Sequence, residues 1–257
     1  MTYAMLDYFV IGQLSAFLLI FCRVGSAMMV LPGIGDAYVA PRIRLLFAAA
    51  FSILLTPILE PQMPKLAGSG LGLFIQLLAE IMVGIFIGFI TRIILSAIHV
   101  AGTIIAFQSS LAVASIFDPI TGAQTAVVSN LITIAAMTLF FSLDMHHLVL
   151  ASLVQSYALF SAGVIPNVAD MTAYNIRLVG DAFHLGVMLA APHIVFSLMF
   201  YLAGGLMTRV VPNFQIFFVM MSPQIMLGIF LLFAIVPFMM DLFGNFMQEQ
   251  LGQLVSP

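Results

Sequence analysis

The 257 residues are 63% hydrophobic and 7% charged, with a mean hydropathy of +1.21; soluble domains carry roughly 25% charged residues, so this chain has too few polar side chains to cover a water-facing surface. Its net charge of −3 comes from 7 basic and 10 acidic residues, which leaves no basic patch to neutralise a phosphate backbone and excludes nucleic acid as a partner. A single cysteine, Cys22, excludes an internal disulfide and any multi-cysteine metal site.

The expectation is an all-α membrane protein, a bundle of membrane-type helices in lipid or other apolar surroundings. The first apolar run covers residues 8–31 and is preceded by Asp7 rather than by lysine or arginine. Flank and length both argue against a cleaved leader. Four further runs, 70–98, 125–143, 178–207 and 214–243, approach or exceed the roughly 20 apolar residues that a spanning helix needs. Runs 43–59 and 148–164 are shorter. Five to seven helical units follow, with breaks rich in proline, glycine or charge at 32–44, 60–70, 144–147, 166–177 and 209–213. Short connections of this kind make neighbouring helices antiparallel hairpins. Arg23, Arg92 and Arg177 adjoin or interrupt the apolar runs instead of lying in loops, so the loop-charge bias specifies orientation weakly. Charges placed there are expected to face protein partners or an aqueous path.

Glu80, Gly84, Gly88 and Arg92 recur every four residues and form a slowly drifting helical stripe. Gly84 and Gly88 are a small-xxx-small face that admits another backbone closely. Two readings stay open: an interface to another subunit, or packing within this one chain. The stretch 101–122 is the most unusual of the chain, because Gln108, Ser109, Ser110 and Ser115 interrupt the apolar pattern before Asp118 and Pro119 end it. One uninterrupted lipid-facing helix is not expected there. Irregular backbone at membrane depth survives only against protein or a water-filled cavity, so the segment reads as a re-entrant or pore-facing loop, with a slightly polar buried helix as the alternative.

Asp144, His146 and His147 lack the H-E-x-x-H spacing of a metal site and read as a solvated turn. Arg177, Asp181 and His184 can share a helix face and neutralise one another, which reads as a helix end near water, with a proton relay as the alternative. No G-x-S-x-G elbow or G-x-x-x-x-G-K loop occurs, so neither hydrolytic nor nucleotide chemistry is supported and no enzyme, cofactor or metal is expected. Pro192, Pro223 and Pro237 fall inside helical runs, where each removes one backbone hydrogen bond and bends the helix. The 18 methionines are adaptable apolar filler that would also suit a seal.

These residues resemble the FliR (SctT) family of flagellar and virulence type III secretion systems, over nearly the whole chain. Arg23, Pro32, Gly35, Pro41, Arg42, Arg44 and Pro57 match its R…P…G…P-x-R-x-R…P pattern. Glu80, Gly84 and Gly88 match its E-x-x-x-G-x-x-x-G helix, and Ala101, Gly102, Gln108, Ala114, Asp118 and Pro119 its A-G…Q…A…D-P segment. His147 and Ser156 resemble its G-H…S region, with His146 in place of the usual glycine, and Arg209, Pro212, Phe217 and Pro223 its tail. Ala191, Pro192, Gly205, Leu206, Pro223 and Ile225 are similar to the A-P…G-L…P-x-I pattern of FliQ, the two-helix subunit of the same apparatus.

The resemblance implies kinked hairpins in a FliP-like part, residues 1–170, followed by a FliQ-like hairpin and tail, residues 171–257, with the boundary near 166–177. It implies a place in a ring with FliP and FliQ, neighbours FlhB and FlhA, and unfolded export substrates passing a central channel in the bacterial inner membrane at the flagellar basal body. It further implies a plug formed by Phe107, Gln108, Ser109, Ser110, Leu111, Ala112, Val113, Ala114, Ser115, Ile116, Phe117, Asp118 and Pro119, with the two phenylalanines as stoppers. The residues bear on two other classes. A broken-helix secondary transporter needs inverted halves, and no convincing internal repeat is present; an intramembrane hydrolase using His147 or His184 needs a nucleophile within hydrogen-bond reach.

Overall fold

The computed structural model describes residues 2–64, 67–110, 127–210 and 216–255. Among these the chain forms seven α-helices: α1 (Thr2–Val30), α2 (Pro41–Leu59), α3 (Gly70–Gln108), α4 (Val127–Ser142), α5 (Met145–Leu159), α6 (Val168–Val210) and α7 (Ile216–Val255), with a short 3-10 turn at Glu60–Gln62 and no strand. Helix is the form that satisfies every peptide group within one segment, which an apolar surrounding demands. Five helices are long and apolar enough to cross a membrane, and α4 with α5, broken at Leu143 and Asp144, makes a sixth if the pair is one span.

Local residues explain most boundaries. Pro41 opens α2, where its missing N–H and fixed φ cost nothing, after an extended Ala40. Pro57 lies inside α2; nearby, Ser52 Oγ donates to the Ala48 carbonyl at 2.7 Å and Thr56 Oγ1 to the Ser52 carbonyl at 2.8 Å. Helix α3 stops where Ser110 adopts a left-handed φ of 57°, the conformation that commonly ends helices. Asp144, at φ 56°, makes the corresponding reversal before α5.

Two boundaries differ from the sequence expectation. Helix α3 continues through 101–108, because Gly102 packs closely on Ser129 and Thr103 returns its hydroxyl to the His99 carbonyl at 2.8 Å. Helix α6 begins at Val168 rather than after 177, since Asp170, Arg177, Asp181 and His184 are all exposed and burden no apolar contact. Pro192 lies inside α6, and Pro223 and Pro237 inside α7, each within one continuous helix.

The chain divides into two compact units. Unit 1 comprises Met1–Ile94, Asp144–Leu178 and Gln248–Pro257. Its core sets Ile20, Val24 and Met28 of α1 against Ala48, Leu55 and Leu59 of α2, with Tyr157 of α5 and Ala162 closing the cluster. Unit 2 comprises Leu95–Leu143 and Val179–Met247. Its buried side chains include Ile98 and Ile105 of α3, Ile132 and Phe140 of α4, Leu185 and Leu189 of α6, and Met239 and Phe243 of α7. Large apolar residues also point outward, among them Leu46, Ile53 and Leu54 on α2 and Met226, Phe230, Phe233 and Phe238 on α7. Such faces need lipid or apolar protein around them.

Candidate functional site

Unit 1 is held at its centre by a buried ion pair. Arg23 of α1 and Glu80 of α3 are 1% and 0% exposed, and Arg23 Nε donates to Glu80 Oε2 at 2.7 Å. The second guanidinium arm reaches Glu80 Oε1 at 3.3 Å and the Phe160 carbonyl at 3.1 Å, while the remaining nitrogen donates to Ser156 Oγ at 2.9 Å. Glu80 Oε1 also accepts the Gly163 N–H at 2.7 Å, and Tyr157 O–H approaches Oε2 at 3.5 Å. The Tyr157 ring lies under the guanidinium, 3.7 Å from ring centroid to carbon. Gly163 reaches this position through a left-handed φ of 69°, a conformation that glycine adopts without strain. A buried charge is tolerable when paired and surrounded by matching donors and acceptors, and this network supplies both.

The glycine stripe below Glu80 faces α1. A Cβ on Gly84 would fall on the Arg23 carbonyl and the Ser26 hydroxyl, and one on Gly88 would sit 2.9 Å from the Ala27 carbonyl oxygen. Gly84 and Gly88 therefore seat α3 directly on the backbone of α1 in this same chain. Arg92 ends the stripe half-exposed, donating from Nε to the Val30 carbonyl at 3.1 Å and from its terminal nitrogen to Asp36 Oδ1 at 2.9 Å. It thereby caps a C-terminal carbonyl of α1, where a cation is favoured.

A second polar cluster lies in unit 2, where α3 ends. The side-chain oxygen of Gln108 accepts from Ser197 Oγ of α6 at 2.8 Å, and its backbone carbonyl accepts from Gln224 Nε2 of α7 at 2.9 Å. His193, fully buried beside Pro192, places Nε2 3.3 Å from the Gly228 carbonyl of α7. Ser109 lies against the same Gly228, whose Cβ position is 2.8 Å from Ser109 Oγ. Of the plug residues expected from the resemblance, Phe107 is exposed at the end of α3, Gln108 is partly buried, and Ser109 and Ser110 are buried. Leu111, Ala112, Val113, Ala114, Ser115, Ile116, Phe117, Asp118 and Pro119 lie outside the described residues.

Asp144, His146 and His147 bring donor atoms to within 4.8 Å of one another. Asp144 and His147 are exposed and already contact each other at 3.4 Å, at the start of α5, where the helix dipole disfavours a cation.

Arg23 and Glu80 each stand out in the sequence, but nothing local joins them, and Ser197, His193 and Gln224 do not stand out at all. The available signal was the isolated polar residue inside an apolar run.

These features define an all-helical membrane protein whose hairpins are clamped by buried polar contacts. Residues 14–250 match the family described as bacterial export proteins, family 1. The chain is 37% identical over 214 residues to the flagellar biosynthetic protein FliR of Caulobacter vibrioides, covering 83% of this chain and 85% of that one. It is 29% identical over 215 residues to FliR of Bacillus subtilis, 82% of each chain, and 27% identical over 216 residues to FliR of Escherichia coli, 84% of this chain and 82% of that one. The chain belongs to this export family, the family of the FliR proteins, and is a membrane-embedded component of bacterial export machinery of the flagellar kind.

Proposed function

We propose that the chain is a channel subunit of the flagellar type III protein export gate, forming with FliP and FliQ the conduit for unfolded flagellar proteins, beside FlhB and FlhA in the inner membrane at the basal body. The observation that carries this reading is the family match along residues 14–250. The outward apolar residues on α2 and α7 add support, since a subunit that shares its bundle with partners needs such faces. In this reading residues 1–170 act as the FliP-like part and residues 171–257 as the FliQ-like hairpin, residues 107–119 form the plug of the closed channel, and the energy for export comes from other components. Purification of the tagged chain from its own membranes in mild detergent, with identification of the co-purifying chains, tests it. Recovery of FliP and FliQ is expected; a chain that purifies alone and moves a small solute in pure lipid vesicles would overturn the reading.

A further inference from the structure

We infer that Ser197 of α6 and Gln224 of α7 are gate-positioning residues, a hydrogen-bonded latch that holds Gln108 at the end of α3. This inference rests on the plug reading above, because Gln108 is where α3 ends and that segment begins. Gln108 is gripped twice, through its side-chain oxygen by Ser197 and through its backbone carbonyl by Gln224. The two donors come from different helices, so the end of α3 is tied to both members of the α6 and α7 pair.

A latch has to hold and also release, and the chemistry of this cluster suits both. Ser109 Oγ and His193 Nδ1 are buried and have no hydrogen-bond partner among the described residues. A partly satisfied polar network in an apolar interior carries the cost of its orphan groups alongside the gain of its bonds. Its net grip is therefore weak, in contrast to the Arg23 and Glu80 network, where each carboxylate oxygen has two donors facing it. Room for movement adjoins it: a cavity of about 180 Å³ is lined by Ser110, Tyr201, Met220, Met221 and Gln224. The Gln224 side chain can swing into that space when it lets go of Gln108, and flexible methionines can close behind it.

The test uses the chain assembled with its FliP and FliQ partners and reads the ion conductance of the complex in planar bilayers. Gln224→Met keeps the length of the side chain but removes the donor; Ser197→Ala removes the hydroxyl, and Ser197→Thr restores it. Loss of one neutral hydrogen bond shifts a closed-to-open ratio by about fivefold. Gln224→Met and Ser197→Ala are each expected to raise the open fraction by that order with unchanged co-purification of partners, and Ser197→Thr to return it to the parent level. Deletion of residues 108–115 serves as the reference. If the deletion leaks while both substitutions stay closed, the latch is wrong and the plug reading survives. If the deletion itself stays closed, the plug reading fails and the latch falls with it. Should Gln224→Met not assemble, the Ser197 pair decides alone.

Discussion

Arg23 and Glu80, 57 residues apart in sequence, meet at 2.7 Å in a site closed to solvent. Most of the polar capacity of the pair is used within unit 1, by Ser156, Tyr157, the Phe160 carbonyl and the Gly163 amide. The consequence is asymmetric, because breaking such a pair costs far more than replacing it with apolar groups.

Removing either partner leaves an uncompensated buried charge, a loss of about 3–5 kcal/mol. Arg23→Met and Glu80→Met should each lower stability by that order in denaturant unfolding followed in detergent micelles. The double substitution Arg23→Met/Glu80→Met should recover most of the loss, since the two side chains then pack as apolar neighbours. Single variants as stable as the parent would show that the pair does not clamp α1 to α3.

The glycines make a sharper steric comparison. A methyl group at Gly84 meets the backbone of Arg23, which cannot yield as a side-chain tip can, whereas one at Gly180 meets nothing within 4 Å. Gly84→Ala should therefore destabilise by about 1–3 kcal/mol through overpacking. Gly180→Ala should be neutral or stabilising by up to about 1 kcal/mol, because alanine is the better helix former. Equal unfolding midpoints for the two variants would contradict the close approach of α3 to α1. A bulkier substitution at Gly84 breaks this chain's own helix contact first, so it reports on folding before it reports on assembly.

Arg92 and Asp36 form a second arginine and carboxylate pair among the described residues, but both are substantially exposed. Water and ions screen such a pair, so its strength is about 0–1 kcal/mol and falls as salt rises. Arg92→Ala should cost about 1 kcal/mol or less, most of it lost at 1 M salt. A larger, salt-independent loss would assign the weight of this residue to its Val30 carbonyl contact instead.

How much of this was legible follows from the range of each interaction. Apolar runs announce helices because a helix is a local structure, and so most of the helical segments were readable. Helix α3 runs past its apolar run 70–98 to Gln108, although Gln108, Ser109 and Ser110 interrupt the apolar pattern there; the packing of Gly102 on Ser129 and the hydroxyl that Thr103 returns to His99 suit the added turns to helix. Helix α6 starts ahead of its apolar run 178–207, although the polar stretch 166–177, closed by Arg177, looks like a break; an exposed helix face carries such residues easily. The grip of Ser197 and Gln224 on Gln108 was invisible for a different reason. It joins residues 89 and 116 positions apart, and no periodicity within one helix encodes a partner on another.

The remaining prediction concerns the segment that α3 leads into. Deleting residues 108–115 removes Gln108 and the two buried serines after it but keeps α3 through Phe107, together with the α1 to α3 clamp and the α2 and α7 faces offered to surroundings. Those elements carry the apolar area, so the shortened chain should still co-purify with its partners. Its pore should leak ions, because the material read as the stopper is gone while the conduit stands. Conductance equal to that of the parent complex, measured with assembly intact, would place the seal in some other part of the gate.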